Sequence, residues 1–313
     1  MSSSQRTRFR KYHALGNDYL VLDPADWRDG TAPAPDEIKR ICHRHYGLGS
    51  DGILWGPLPA TNATTGNAAA AAAGAAAAGG AAFGLRIFNP DGSEAEKSGN
   101  GLRIFSRHLF DRKLVDADAP FRISTPGGVV ESTILDGGAR VRVEMGRVSF
   151  DSARVPVLLD GEAREVLGER LTAGGREFVF NAATIGNPHC VIVCQRGEAR
   201  GLAKRHGSAI ETHPLFPNRT NVQFLEVIDP RTIHIEIWER GAGYTFASGS
   251  SGSAAAAVAH RLGLVGPEVT VNMRGGNIQI SIAPDFSVTM TGGVTPVGEF
   301  FMEPDVLTHS VEF

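Results

Sequence analysis

Residues 89–105 read NPDGSEAEKSGNGLRIF, and this stretch decides how the chain is built. The apolar run LRIF at 85–88 precedes it as a strand signature, and Asn89-Pro90-Asp91-Gly92 opens it as a strong turn signal. From Leu102 onward the apolar spacing is that of an amphipathic helix. Between turn and helix sits Ser98-Gly99-Asn100-Gly101, with Ser98 placed to cap the helix. Glycines there let a ligand approach the backbone, and the free N–H groups of a first helical turn hold a carboxylate or phosphate.

The same device recurs about 150 residues later. Residues 233–238 (IHIEIW) alternate like a strand, and Glu239-Arg240-Gly241-Ala242-Gly243 turns. Ala247-Ser248-Gly249-Ser250-Ser251-Gly252 then leads into a helix-forming run at 253–260. One capped helix after a turn is commonplace. Two copies with Ser-Gly at the same place predict two related halves, each pointing a helix N-terminus at a shared cleft.

Toward the N-terminus, residues 19–22 (YLVL) read as a buried strand closed by Asp23-Pro24. Asn17 and Asp18 just before it are, taken alone, turn residues. Residues 35–46 (PDEIKRICHRHY) are spaced for a short helix with Ile38 and Ile41 on one face. His43 and His45, two apart, would face different ways on it, which disfavours a metal pair. The glycine turn GLGSDG at 47–52 lacks the Lys-Ser/Thr ending of a phosphate loop and is not read as nucleotide-binding. The low-complexity Ala/Gly tract at 61–82 has no large apolar residue to bury and reads as a loop insertion without a function of its own.

Toward the C-terminus, residues 121–124, 128–134 and 140–144 alternate between Gly-rich turns, as antiparallel strands do. Residues 178–182 and 190–193 continue in that style around Ile185-Gly186-Asn187-Pro188-His189, a turn that sets a polar side chain beside a histidine. A helix is expected at 202–210, and Asn221 is the last polar residue before the strand 222–227. With 313 residues, 42% of them hydrophobic and 21% charged, the chain has ample material for a core. Its net charge of −3 gives no reason to expect nucleic acid or a membrane surface as partner. Cys42, Cys190 and Cys194 are too few and scattered for a disulfide framework and fit a reducing compartment. The basic N-terminus has no apolar stretch behind it, and no run approaches the roughly 18 apolar residues of a membrane span. The expectation is a soluble, cytoplasmic protein.

Six segments together resemble the diaminopimelate epimerases: KYHALGNDYLVLD at 11–23, RHYGLGSDGILW at 44–55, RIFNPDGSEAEKSGNGLRIFSR at 86–107, GNPHCVIV at 186–193, FPNRTNV at 216–222 and WERGAGYTFASGSSGSAAAA at 238–257. The resemblance runs over nearly the whole chain. It implies an α/β (α+β) fold of two pseudo-symmetric domains, each a curved, mostly antiparallel sheet around a central helix, with the active site between them. Mapped on, the domains are 1–142 plus 297–313, and 143–296. Asn17, Asn89, Asn187 and Asn221 match positions that bind the substrate's polar ends. Gly99-Asn100 and Gly249-Ser250 match the helix N-termini that grip the carboxylate at the reacting carbon. Glu239 and Arg240 match a substrate-contacting pair, and His189 with Glu239 match groups that support proton transfer. The implied reaction is the cofactor-independent, PLP-independent epimerisation of LL-diaminopimelate to meso-diaminopimelate by two-base proton transfer, in lysine and peptidoglycan-precursor biosynthesis, with no metal, and the family makes a homodimer the expected assembly.

One departure bears on the chemistry. The family uses two cysteines, one on each face of the α-carbon, and those positions here are Ser98 and Ser248. A thiol titrates near pH 8.5, lower still at a helix N-terminus, whereas a serine hydroxyl is a far weaker acid that needs an adjacent base. His189 and Glu239 are the candidates for that base. Three readings stay open: a serine-based diaminopimelate epimerase; a related isomerase or dehydratase using one-sided proton abstraction; or an amino-acid-binding homologue or Cys-to-Ser trap without turnover.

Overall fold

The structure is a computed structural model that describes residues 6–60 and 82–308, so the alanine-rich stretch 61–81 lies outside the described residues. The chain divides into two compact units, 1–143 with 293–313, and 144–292.

In the first unit, Thr295–Met302 pairs with Thr7–Ala14, which is followed across the sheet by Asn17–Leu22, Ile53–Leu58, Phe83–Phe88, Pro120–Thr125, Gly128–Leu135 and Arg140–Arg147. The pairs joined by Leu20↔Ile53 and Phe83↔Ile123 are parallel and the others antiparallel. Each parallel pair is bridged by a helix, Pro35–Cys42 for one and Gly99–Asp111 for the other. In the second unit the order is Glu169–Ala173, Arg176–Thr184, Pro188–Val193, Asn221–Asp229, Thr232–Glu239, Glu268–Met273, Gly276–Ile282 and Ser287–Gly293. Its parallel pairs, at His189↔Asn221 and Thr232↔Thr270, fall at the same steps and are bridged by Ala199–Glu211 and Gly249–Arg261. The units are therefore the same fold, strand for strand.

Each unit is built around its 13-residue helix, Gly99–Asp111 or Gly249–Arg261. Leu102, Ile104, Phe105 and Leu109 of the first are fully buried, each contributing about 1.5–3 kcal/mol of burial. That helix touches both Thr7–Ala14 and Gly128–Leu135, strands five steps apart in the sheet order. Five flat steps of about 4.8 Å span roughly 24 Å, twice the width of a helix, so the sheet must curl around it. The second helix likewise reaches Arg176–Thr184 and Gly276–Ile282. Its run Ala254 to Ala257 is fully buried, and a Cβ on Gly252 would come within 2.6 Å of the Ile278 side chain, so the wall leaves room only for small residues.

The helix expected over 35–46 ends at Cys42. His43 turns extended (φ −66°, ψ 126°), and its Nδ1 accepts from the backbone N–H of His45 at 3.2 Å and of Tyr46 at 3.1 Å. Those side-chain bonds replace the helical ones. No helix among the described residues is long and apolar enough to cross a membrane.

Candidate active site

In the first unit Ser98 stands extended (φ −138°, ψ 119°) at the N-cap, and its Oγ accepts from the Gly101 N–H at 3.0 Å. A Cβ on Gly101 would lie 3.2 Å from that same oxygen, so the first turn leaves no room for a side chain under the serine. Asn17 follows a hairpin turn in which Leu15 and Gly16 both take positive φ (57° and 84°), the geometry that matches strand twist in a two-residue turn. Its Oδ1 accepts from Asn100 Nδ2 at 3.0 Å, and its own Nδ2 donates to Asp51 Oδ2 at 2.9 Å. Asn100 Oδ1 accepts in turn from Arg103. Ser98, Gly99, Asn100 and Asn17 are thus brought together. Asn89 is held in its own turn instead, donating to Ser93 Oγ at 2.9 Å.

In the second unit Ser248 repeats the cap (φ −148°, ψ 124°), its Oγ 3.5 Å from the Ser251 N–H and 3.4 Å from Ser250 Oγ. Asn187 Nδ2 donates to Ser250 Oγ at 3.4 Å, and Asn187 Oδ1 lies 3.0 Å from His189 Nε2. His189 therefore reaches Ser248 only through Asn187 and Ser250. Burial pushes its pKa down to about 3, so the ring is neutral at working pH, and facing a carbonyl oxygen its Nε2 carries the hydrogen. Its direct partner is an amide to be oriented, not a hydroxyl to be deprotonated.

Asn221 joins two loops of this unit: its Nδ2 donates to Pro188 O at 2.9 Å and its Oδ1 accepts the Arg240 N–H at 3.0 Å. The Arg240 side chain donates to Asn218 O at 3.2 Å, and the Glu239 carbonyl accepts from the Ala242 N–H at 3.2 Å to close the turn.

Sequence reading missed two residues here. Glu211, buried at the end of Ala199–Glu211, accepts from Trp238 Nε1 at 2.8 Å and the Gly241 N–H at 2.7 Å and pairs with Arg219, so it sets the turn carrying Glu239 and Arg240. Tyr19 places its hydroxyl 3.4 Å from Ser98 Oγ. Tyr19 follows Asn17 by two, as His189 follows Asn187 by two, and each lies on the parallel-paired strand after its hairpin. The two are counterparts, and this duplication is the signal that finds Tyr19. A Cβ on Gly52 would meet the Tyr19 ring at 2.7 Å, so glycine there lets the ring lie against the neighbouring strand.

Each serine hydroxyl sits at the positive end of a helix whose first N–H groups favour an anion. Such an arrangement is chemically able to hold a carboxylate and to stabilise charge growing on it.

The diaminopimelate epimerase family pattern matches residues 9–150 and 181–297. The chain is 55% identical over 292 residues to diaminopimelate epimerase 2 of Nostoc sp. (strain PCC 7120), covering 93% of this chain and 94% of that protein. It is 36% identical to the diaminopimelate epimerase of Desulfitobacterium hafniense, over 95% of this chain and 99% of that one. Among solved structures, a hydroxyproline epimerase from Agrobacterium vitis superposes with a TM-score of 0.64 at 15% identity, covering 97% of this chain and 94% of the other. A PhzF-family phenazine biosynthesis protein from Bacillus anthracis superposes with a TM-score of 0.62 at 14% identity, covering 95% and 99%. At such identities these two show a shared fold.

Proposed function

The chain belongs to the diaminopimelate epimerase family, and from that membership we infer that it is an isomerase converting LL-diaminopimelate to meso-diaminopimelate, a step toward lysine. We propose that Ser98 and Ser248 are its proton-transfer pair and that no cofactor takes part. The observation that carries this reading is the duplicated site: two serines, each capping a central helix, each with an asparagine from the equivalent hairpin nearby.

Removing the α-proton of an amino acid leaves a carbanion whose charge spreads onto the carboxylate. A helix N-terminus beside that carboxylate stabilises the transition state more than the ground state, which is what lowers the barrier. The serine on one face, once its own proton has passed through the neighbouring hydroxyl to solvent, takes the α-proton, and the serine on the other face gives its proton to the opposite side of the carbon. A hydroxyl is a poor acid and needs a neighbour to share its proton. Tyr19 has that place beside Ser98, while Ser248 has Ser250, with Asn187 and His189 holding the orientation. Asn221, Arg240 and Glu239 bind the substrate's distal amino-acid end in this reading, with Asn89 contributing from its turn.

Deuterium incorporation at Cα of LL- and meso-diaminopimelate, followed by NMR in heavy water, tests it. Exchange accompanied by interconversion is expected. Exchange without interconversion would mean one-sided abstraction, and saturable binding without exchange would mean a binding protein.

We also read the chain as a cytoplasmic homodimer. All three cysteines are free thiols, in keeping with a reducing compartment. Among the described residues, Thr295–Met302 pairs with Thr7–Ala14 and exposes Val297, Phe300 and Phe301, an apolar edge suited to a second copy. Sedimentation at micromolar concentration is expected to give twice the 33.2 kDa chain mass; the chain mass alone would remove the dimer.

A further inference from the structure

The first unit buries a cation that its fold does not call for. Arg103, in the middle of the central helix, is fully buried, and among the described residues it meets no carboxylate. Taking a guanidinium out of water costs several kcal/mol unless it is well bonded. An apolar side chain would fill the same space without that cost. What Arg103 does contact is Asn100 Oδ1, through Nη2, and the Gly293 carbonyl at 3.4 Å, through Nη1; its Nε has no partner.

Asn100 begins a run of directed bonds. Its Nδ2 donates to Asn17 Oδ1 at 3.0 Å, and Asn17 Nδ2 donates to Asp51 Oδ2 at 2.9 Å. Asp51 Oδ2 also accepts the Asp18 N–H at 3.1 Å, and Arg44 holds its other oxygen, Oδ1, at 2.7 Å. An asparagine amide by itself fits its surroundings in either of two orientations, because its oxygen and nitrogen have the same shape. The ends of this run remove the choice. A guanidinium only donates, so Asn100 must turn its oxygen to Arg103 and its nitrogen to Asn17. A carboxylate only accepts, so Asn17 must turn its nitrogen to Asp51 and its oxygen to Asn100. Both ends demand the same direction, and each bond polarises the next.

We propose that Arg103 and Asp51 are positioning residues that lock the side-chain amides of Asn17 and Asn100 in a single orientation, and that substrate binding in the first unit depends on the lock. A flipped Asn17 would offer a carbonyl oxygen where the locked form offers an N–H, and so would repel a carboxylate. The inference rests on the reading of Asn17 and Asn100 as substrate-binding residues. Arg103 acts through Asn100, which explains why a cation is kept in the core beside an anion-binding helix terminus.

The test is a double-mutant cycle on Arg103→Met and Asp51→Ala, with Arg103→Lys as the conservative variant. Calorimetric affinity for meso-diaminopimelate is read beside side-chain amide hydrogen exchange of Asn17 and Asn100 in the ligand-free protein. Each single change is expected to weaken binding about tenfold, the worth of one bond to a charged group. The double change should weaken it no further than the worse single change, since one broken end already frees the run. Arg103→Lys, a charged donor without acceptor capacity, should recover binding to within about threefold of wild type. Losses that multiply, or a lysine no better than methionine, would overturn the proposal. Should Arg103→Met fail to fold, Asp51→Ala and Arg103→Lys still decide it, through affinity and amide protection. The exchange measurement needs no substrate: slow side-chain amides in wild type that become fast in Asp51→Ala support the lock even if diaminopimelate does not bind. Fast amides in wild type would sink the lock while leaving the epimerase reading standing.

Discussion

Ser98→Ala and Ser248→Ala each lower the interconversion of LL- and meso-diaminopimelate by about 10³-fold, within the usual range for losing a positioned acid or base. Substrate affinity should stay within about 1–2 kcal/mol, because each serine's other role is that of an N-cap. A glycine variant separates the roles: Gly at an N-cap costs only a few tenths of a kcal/mol, so Ser98→Gly keeps the helix while deleting the hydroxyl. The two positions also differ in what they leave behind. Each single variant retains a hydroxyl at one site, so one isomer should still exchange its α-hydrogen slowly while racemisation is lost. Stopped-flow circular dichroism for interconversion and NMR for exchange measure the two rates separately. Retention of more than a tenth of wild-type interconversion in both alanine variants would assign the proton transfer to other groups, with Tyr19 the first to examine.

Replacing both serines by cysteine raises kcat by about 10²-fold or more, since a thiol titrating near 8.5, and lower at a helix N-terminus, matches the working pH far better than a hydroxyl. Sulfur would have to lengthen the 3.0 Å bond from the Gly101 N–H to position 98, but the remaining contacts leave slack. The contacts of Ser98 Oγ with the Tyr19 hydroxyl at 3.4 Å, and of Ser248 Oγ with the Ser251 N–H at 3.5 Å and Ser250 Oγ at 3.4 Å, are long for oxygen. Sulfur, being larger, would close those gaps. The pH profile carries a sign. One thiol must be ionised and the other protonated, so the double variant should gain an ascending limb below pH about 8.5 and a descending limb above it, whereas the serine enzyme lacks the thiolate limb. A double variant no faster than wild type would show that the surrounding groups are not arranged for two-base transfer, and would favour one-sided chemistry.

The duplication was legible because it is written in neighbouring residues. Ser98 before Gly99 signals a cap through a side-chain-to-backbone bond three residues long, and the first helix begins there; the second, expected from 253, begins four residues earlier because Ser248 repeats the cap. The turn around Gly186 is equally local, whereas Asn17 and Asp18, expected as turn residues, open the strand Asn17–Leu22 because the positive φ angles fall one step earlier at Leu15 and Gly16. The roles of Glu211 and Arg103 were not legible, and that of Tyr19 becomes so only once its hairpin is matched strand for strand with the one carrying His189. A tyrosine in YLVL, a glutamate ending a helix and an arginine on an amphipathic face are each ordinary in their own segments. His189 shows the same limit from the other side. Its place beside Asn187 is visible in the motif, but its neutrality follows from complete burial by strands far away in the chain.

By itself, the sequence determined the two-fold repeat, the capped helices, the antiparallel hairpins and, through its resemblance to a family, the reaction class. Only the tertiary structure decided that Leu20 lies beside Ile53 and Phe83 beside Ile123 in parallel, that each sheet curls around its helix, and that Arg103 meets Asn100 while His189 stops at Asn187. Caps and turns are bonds between residues a few positions apart, whose geometry their own chemistry dictates. Parallel pairing and burial depend on which distant apolar surfaces meet, and many strand orders satisfy the same alternation until the whole core is packed.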